Sequence, residues 1–280
     1  MKGISLHSVV PVRTEAREGA EQETQMLFGE LCTIIEPSDD SSQHSERWRY
    51  IRLESDGSEG WVDAKMIAPI GGKDYTAYKK AYASAATVAY PMTYAVSENN
   101  GQTIPLTAGT KLTKYNVQCT KYEGGEIKTG LFELLGVRFR IDPNMVITSP
   151  LPLDETHLLQ TARFFLNIPY LWGGKNAMGM DCSGFTQVLM SLFGKSVPRN
   201  ASEQAKQGRA VNGIGKIKAG DLVFFAHEGE ERITHVGIAI DKERVIHCSG
   251  RVKVEKLDEH GIYSAEQGGY THRLIGIKRL

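Results

Sequence analysis

The chain has 280 residues, with 33 Lys and Arg against 33 Asp and Glu and a formal net charge of zero. This length exceeds what one hydrophobic core usually serves, so it predicts two or three domains. A chain with no net charge lacks the excess of Lys and Arg that proteins use to bind nucleic acid or anionic membranes, so we expect neither partner.

The cysteines and the N-terminus set further bounds. Cys32, Cys119, Cys182 and Cys248 are far apart and form no CxxC pair, so we expect mostly free thiols. The first residues, MKGISLHSVVPVR, lack the apolar run of a signal peptide, and no stretch of about 20 apolar residues occurs. We therefore expect no membrane span and a cytoplasmic monomer, or an exported protein if the sequence is a mature form.

Short strands are predicted throughout the first half of the chain. Residues 1–69 and 70–150 each show short apolar or alternating runs between turn-forming breaks, which is typical of small barrels. The runs are SVVPVR, QMLFGELCTII, WRYIRL and GWVDAKMI in the first region, with breaks at EPSDDSSQHSE and ESDGSEG, and TVAYPMTYAV, TIPLTAGTKLTKYNVQ and LFELLGVRFRID in the second. We predict two small all-β domains with these boundaries.

The pattern changes to that of an α+β domain over residues 151–280. Apolar residues recur at helical spacing in LPLDETHLLQTARFFLNI, behind Asp154 as a suitable N-cap. A second helix is predicted in SGFTQVLMSLFG and ends at Gly194. Its buried face consists of Phe185, Val188, Leu189, Leu192 and Phe193. The later runs GDLVFFA, THVGIAID, RVIHCSG and THRLIGIKRL predict an antiparallel sheet that packs on these helices.

Cys182 is the candidate nucleophile. It falls at the first turn of the second helix, where unpaired N–H groups and the helix dipole favour a thiolate. A buried structural cysteine is the alternative, but such a cysteine needs no glycine-rich PYLWGG loop before it. His235 in THVGIAI is the candidate base, and His247 on the next strand can orient its imidazole. The other histidines, including His44, His227, His260 and His272, are better explained as core or surface residues.

These motifs carry a family resemblance. PYLWGG, DCSGF, PRNASEQ, AGDLVFF, THVGIAI and RVIHCSG resemble the NlpC/P60 cysteine peptidases in order and spacing. The order VVPVR, FGE, WRYIR and GWV resembles a bacterial SH3 (SH3b) domain, and residues 70–150 are interpreted as a second one. The resemblance implies two SH3b-like barrels followed by a papain-like catalytic domain. It implies Cys182 as nucleophile, His235 as base, His247 as orienting residue, and Tyr170 beside the Cys182 backbone N–H in the oxyanion site.

The domain combination resembles the γ-D-glutamyl-L-diamino acid endopeptidases, which act on murein stem peptides. This implies a partner peptide with a free N-terminal L-Ala, γ-linked D-Glu and a diamino acid, either L-Lys or meso-diaminopimelate. Asp181 and Glu30 are candidates to bind the free amine, and Trp61 is a candidate aromatic lid. Asp181 is also suited to cap the catalytic helix, a role that can coexist with binding, and Glu30 and Trp61 are better explained as ordinary SH3b surface and core residues.

Three further residues are expected to line the cleft. The family motifs place Trp172, Ser183 and Ser202 where backbone and hydroxyl groups would hold the D-Glu carboxylate. Arg199 either neutralises that carboxylate or braces its own loop, and the sequence leaves this open.

The sequence implies no metal and no cofactor. HEGEE at 227–231 has zinc-ligand residue types but lacks a second suitably spaced histidine, so a solvated turn explains it better. Two alternative functions stay open beside murein peptide turnover: hydrolysis of the intact wall, and a non-catalytic peptidoglycan-binding protein.

Overall fold

The structure is a computed structural model that describes residues 1–35 and 47–280. The predicted charged break EPSDDSSQHSE, with His44, lies outside the described residues. The chain divides into two compact units, Met1–Ser149 and Pro150–Leu280. Among the described residues, no helix has both the length and the apolar character needed to cross a membrane.

The first part of the N-terminal unit is an antiparallel sheet, as the strand prediction requires. Its strands are β1 (Lys2–Ser5), β2 (Val9–Arg13), β3 (Gln22–Leu27), β4 (Leu31–Ile35), β5 (Trp48–Leu53), β6 (Glu59–Asp63) and β7 (Ile67–Ile70). They lie in the order β3-β2-β6-β5-β4-β1-β7. Alternate residues point to one face, so Val10, Val12, Ile51 and Val62 meet in one buried cluster.

The second part contains a helix that the sequence interpretation missed. Helix α1 (Gly72–Ala83) precedes the remaining strands and buries only Tyr78. The strands are β8 (Ala86–Val88), β9 (Met92–Ser97), β10 (Thr103–Thr107), β11 (Lys111–Leu112), β12 (Asn116–Tyr122), β13 (Gly125–Leu134), β14 (Val137–Ile141) and β15 (Val146–Ile147). Because α1 is mostly exposed, it lacks the apolar periodicity by which helices are recognised.

A second SH3 barrel over residues 70–150 is not confirmed. The strands there form a five-stranded sheet, β10-β9-β14-β13-β12, and a separate three-stranded sheet, β11-β8-β15. Their apolar residues also share a core with the first part, because Phe28 packs edge-on against Phe132 and Phe139 at 6.4 and 5.7 Å between ring centroids. One local feature is repeated: an aspartate caps a 3₁₀ turn before the last strand of each part, Asp63 before β7 and Asp142 before β15.

The C-terminal unit has the predicted α+β composition. Its helices are α2 (Glu155–Ala162), α3 (Cys182–Leu192) and α4 (Ala201–Gln204). Its strands are β16 (Lys175–Asn176), β17 (Gly179–Met180), β18 (Arg209–Ala210), β19 (Leu222–Ala226), β20 (His235–Ala239), β21 (Arg244–Ser249), β22 (Arg251–Asp258), β23 (Gly261–Ser264) and β24 (Gly269–Arg279). The main sheet has the order β18-β24-β19-β20-β21-β22-β23. Strand β24 pairs with both β19 and β23, so the sheet curls back on itself.

Both predicted helices of this unit are confirmed. The Asp154 carboxylate accepts a hydrogen bond from the His157 N–H at 3.0 Å and so caps α2. Helix α3 buries its predicted apolar face, and Gly194 follows it with a φ of 72°, the left-handed conformation that favours glycine after a helix. Helix α3 packs against β20 and β21, which brings the predicted catalytic segments together.

The start of α3 lies unusually close to the PYLWGG loop. A Cβ on Gly184 would lie 2.2 Å from the Gly174 carbonyl oxygen, which is backbone and cannot rotate away. Only glycine at 184 therefore allows this approach, which holds the first turn of α3 against the loop.

We predict that Gly184→Ala destabilises the C-terminal unit by about 1–3 kcal/mol, because the added methyl group forces two backbone segments apart. Urea unfolding measures this change. Gly215→Ala is the matched control, since a Cβ there meets nothing within 4 Å. Equal unfolding midpoints for the two variants would contradict the steric argument.

Candidate active site

Asp181 caps the helix that carries Cys182. Its carboxylate accepts hydrogen bonds from the backbone N–H of Gly184 at 2.7 Å and of Gly173 at 2.9 Å. The first bond closes the N-terminus of α3, and the second ties that terminus to the PYLWGG loop. The capping alternative proposed for Asp181 from the sequence is therefore confirmed, and Cys182 is held at the first helical position.

Arg199 braces the same carboxylate. Its guanidinium donates to both oxygens of Asp181 and, at 2.9 Å, to the Ser183 hydroxyl. The side chains of Arg199 and Asp181 are only 2% and 9% exposed, so each neutralises a charge that burial would otherwise make costly. Of the two roles left open for Arg199, the structure shows the bracing one. The predicted amine-binding role of Asp181 stays a prediction.

Burial sets the protonation of the candidate nucleophile. Cys182 is 7% exposed, and burial, followed by the nearby Asp181 carboxylate, raises the pKa of its thiol to about 11. The backbone N–H groups of Val236 and Ser183 act in the opposite direction but do not outweigh burial. The thiol is therefore protonated near neutral pH, contrary to the expectation that the helix terminus alone would favour a thiolate.

The two predicted histidines are directly hydrogen-bonded. His235 begins β20 and His247 lies on β21, and His235 Nε2 is 2.8 Å from His247 Nδ1. Burial lowers the pKa of both imidazoles, that of His235 well below its usual value of 6.5. Both rings are therefore neutral near pH 7, which suits His235 to accept a proton.

The sequence interpretation missed Glu255, which extends this chain of hydrogen bonds. Its Oε2 atom is 2.9 Å from His247 Nε2, and its side chain is 7% exposed. The turn at Gly250 pairs His247 with Lys253 and so brings Glu255, two residues further along β22, diagonally next to His247. Long side chains can reach diagonal neighbours across antiparallel strands. The spacing of His247 and Glu255 around the Gly250 turn was therefore a signal in the sequence for this contact.

His272 also lies beside the candidate base. Its ring centroid is 4.2 Å from that of His235, with the planes tilted by 33°. Burial, followed by His247 and His227, lowers the pKa of His272 to about 4, so it packs as a neutral ring. The sequence interpretation treated His272 as an ordinary core or surface residue; its contact with His235 arises from the pairing of distant strands and has no local signal.

Tyr170 lies close enough to the thiol to interact with it electrostatically. Burial, followed by Cys182 and Asp181, raises the pKa of the Tyr170 phenol. The hydroxyl therefore keeps its proton and can donate a hydrogen bond, as the predicted oxyanion role requires. The loop is held by a backbone bond from the Tyr170 N–H to the Gly250 carbonyl at 2.9 Å.

The three predicted cleft-lining residues differ in their surroundings. Ser183 is buried and donates to Asp181 Oδ1 at 3.2 Å. Trp172 is 59% exposed, and Ser202 lies on the exposed side of the short helix α4. That helix is tied to α3, because the Gln204 side chain donates to the Ser183 carbonyl at 3.1 Å. Their contact with substrate stays a prediction.

Glu30 and Trp61 belong to the N-terminal unit. Glu30 lies in the turn between β3 and β4 and accepts a hydrogen bond from the Leu27 N–H at 2.7 Å. Trp61 lies on β6 and packs edge-on against Tyr50, with 5.3 Å between ring centroids. Their predicted roles in binding the amine and covering the cleft stay predictions.

The HEGEE stretch lies in a turn between β19 and β20, where Gly229 has a φ of 78°. Over residues 1–35 and 47–280, no group of three or more His, Cys, Asp or Glu side chains is arranged to hold a metal ion.

We predict that the protein loses stability as the pH falls below 6.5, the usual pKa of histidine. The unfolded chain then binds protons that the neutral folded rings of His235, His247 and His272 do not, at up to about 1.4 kcal/mol per pH unit for each. Urea unfolding between about pH 7 and pH 5 measures this slope. His272→Gln should lessen this slope, because the pKa of His272 is lowered to about 4. A slope unchanged by His272→Gln would contradict the neutral state of that half-buried ring.

Two family models match the chain. The NlpC/P60 family model matches residues 167–273, and the model for the bacterial dipeptidyl-peptidase SH3 domain matches residues 12–67. The first range contains every predicted catalytic residue.

Two curated relatives bear the same name, gamma-D-glutamyl-L-lysine dipeptidyl-peptidase. The one from Bacillus subtilis (strain 168) is 41% identical over 115 residues, which is 41% of this chain and 38% of the relative. The one from Bacillus cereus (strain ATCC 10987 / NRS 248) is 25% identical over 269 residues, covering 92% of this chain and 74% of the relative.

Solved structures share the fold. A crystal structure of an NlpC/P60 family protein from Bacillus cereus ATCC 10987 has a TM-score of 0.77 at 19% identity and covers 100% of this chain and 99% of that one. An NlpC/P60 endopeptidase from Photobacterium damselae subsp. piscicida has a TM-score of 0.64 at 17% identity, and the match covers 99% of this chain and 72% of that one. Residues 167–273 thus match the NlpC/P60 family, and residues 12–67 match the bacterial SH3 domain of dipeptidyl-peptidases.

Proposed function

We propose that the chain hydrolyses the bond between γ-D-Glu and the L-diamino acid of murein stem peptides that have a free N-terminal L-Ala. The observation that supports this most directly is the placement of Cys182 at the start of α3, packed against the strands that carry His235 and His247. The shared name of the two relatives supports the choice of bond. We place the reaction in the turnover of free wall peptides.

The proposed chemistry begins from a neutral pair. The Cys182 thiol and the His235 imidazole are both uncharged at rest, so the thiol still carries a proton. This proton moves to His235 Nδ1 as the sulfur attacks the γ-carbonyl carbon. The carbonyl oxygen becomes an oxyanion that accepts hydrogen bonds from the Cys182 N–H and the Tyr170 hydroxyl. The γ-amide bond then breaks, and His235 returns the proton to the leaving amine of the diamino acid.

Water completes the cycle. The thioester between Cys182 and the γ-carboxyl of D-Glu is attacked by a water molecule that gives one proton to His235. The thioester bond breaks, the dipeptide leaves with a free γ-carboxyl group, and the sulfur recovers its proton. Trp172, Ser183 and Ser202 are assigned to the wall of the site that holds the D-Glu α-carboxylate.

We also propose that residues 70–150 are a divergent SH3b-like domain. The repeated aspartate-capped 3₁₀ turn before the last strand supports this common origin. Its strands would then have separated into two sheets because their apolar residues share the core centred on Phe28.

We predict that Cys182→Ala lowers peptide hydrolysis by several orders of magnitude, because the covalent intermediate cannot form. Turnover is measured by release of the diamino acid, with circular dichroism to verify the fold. Cys119→Ser is the matched control, since Cys119 is a free thiol that is exposed. Substantial turnover by the Cys182→Ala variant would contradict the assignment of the nucleophile.

We predict that L-Ala-γ-D-Glu-L-Lys is cut to L-Ala-D-Glu and lysine, and that N-acetylation lowers kcat/KM at least about tenfold, because the acetyl group removes the ammonium charge expected to be bound. Mass spectrometry of the digests identifies the bond cut, and meso-diaminopimelate peptides test the third residue. Equal rates on acetylated peptide and release of fragments from intact sacculi would instead support a wall hydrolase. Binding to sacculi without cleavage of any peptide would support a non-catalytic protein.

A further inference from the structure

We propose that Glu255 is a positioning residue that fixes the tautomers of His247 and His235, so that His235 presents an unprotonated Nδ1 to Cys182. The inference rests on the proposed function, because it assigns Glu255 to the base of that reaction. Glu255 acts through two hydrogen bonds and does not itself touch the reacting sulfur.

The direction of each hydrogen bond follows from Glu255. Burial acts to raise the pKa of its carboxyl group, but interactions with the side chains of His247, Ser264 and Lys253, in that order, outweigh burial and lower the pKa to about 2. The ionised carboxylate can only accept hydrogen bonds. Its 2.9 Å contact with His247 Nε2 therefore requires the proton of His247 to be on Nε2.

The same reasoning determines the tautomer of His235. Since His247 is neutral and carries its proton on Nε2, its Nδ1 atom is an acceptor. The 2.8 Å contact with His235 Nε2 then requires a proton on that nitrogen. Neutral His235 consequently has its lone pair on Nδ1, the nitrogen that takes the thiol proton in the proposed reaction.

The surroundings keep Glu255 in place. Lys253 Nζ lies 3.1 Å from Oε1 and leaves Oε2 for His247, so both carboxylate oxygens have a positively polarised partner. His272 packs against the ring of His235, and His227 acts electrostatically on the same imidazole. The hydrogen-bond partner of His247 Nε2 is Glu255, and not Lys253, His272 or His227. Glu255 therefore determines which nitrogen of His247 carries the proton.

Glu255→Gln tests the proposal with almost no change of shape. The glutamine amide can donate to His247 Nε2, which lets the proton of His247 move to Nδ1 and that of His235 move from Nε2 to Nδ1. The control is Glu266→Gln, which removes the same charge. Glu266 contacts Lys253 at 3.7 Å and lines the same surface groove as Glu255, but it pairs with Arg251 instead of His247.

Three measurements on the full chain are compared. Nitrogen-15 NMR of the imidazoles should show protons on Nε2 of both His235 and His247 in the wild type, and a changed tautomer in Glu255→Gln. The kcat for the tripeptide should fall about tenfold or more in Glu255→Gln with little change in KM, because a wrong tautomer removes the base without removing binding contacts. Alkylation of Cys182 by iodoacetamide at pH 7, in a Cys119→Ser background, should slow in parallel.

Glu266→Gln should match the wild type in all three measurements, and an equal loss in both variants would overturn the proposal in favour of a simple charge effect. A wild-type spectrum with the His247 proton on Nδ1 would overturn it without any variant, even if Glu255→Gln failed to fold. If no peptide is cut but the tautomers and alkylation rates behave as expected, the proposed substrate fails while the role of Glu255 is supported. If peptides are cut normally by Glu255→Gln, the role of Glu255 alone fails.

Discussion

The buried carboxylate of Asp181 is the interaction on which the geometry of the candidate site depends. It joins three segments that are apart in the sequence: the PYLWGG loop through Gly173, the first turn of α3 through Gly184, and the PRNASEQ segment through Arg199. A charge pair this deeply buried contributes little net stability, but loss of either partner leaves an unpaired charge and is costly. The pair therefore acts mainly to hold one arrangement, in which Cys182 faces the strands that carry the histidines.

Burial also determines the protonation state of the site, and it outweighs the effects that oppose it. The backbone N–H groups near Cys182 favour a thiolate, yet the thiol has a raised pKa, and both histidines have lowered ones. The resting site then holds an uncharged thiol and an uncharged imidazole, and the negative charge stays on Glu255, two hydrogen bonds away from His235. In the proposed reaction the thiol proton passes between two groups that are uncharged at rest, so their alignment is set by hydrogen bonds and packing and not by mutual charge attraction.

The fold was predictable where one local pattern matched one element. The apolar face of α3 and the cap of α2 were both read from the sequence, because helical spacing and capping residues are local signals. Helix α1 was missed, since its alanines and lysines favour a helix but bury almost nothing. The two sheets formed by residues 86–147 share a core with Phe28. This arrangement could not be predicted, because the contacts join segments about 60 to 110 residues apart in the chain.

The sequence by itself determined the chemical identity of the candidate site: a cysteine after a capping aspartate at a helix start, glycines that permit close approach, and two histidines on consecutive strands. The types and spacing of these residues are local features, so the sequence alone shows them. Only the tertiary structure decided that Arg199 braces Asp181, that His272 packs on His235, and that Glu255 completes the hydrogen-bond chain. These contacts join distant segments. The protonation of each group depends on how deeply the whole fold buries it, and no short stretch of sequence encodes that quantity.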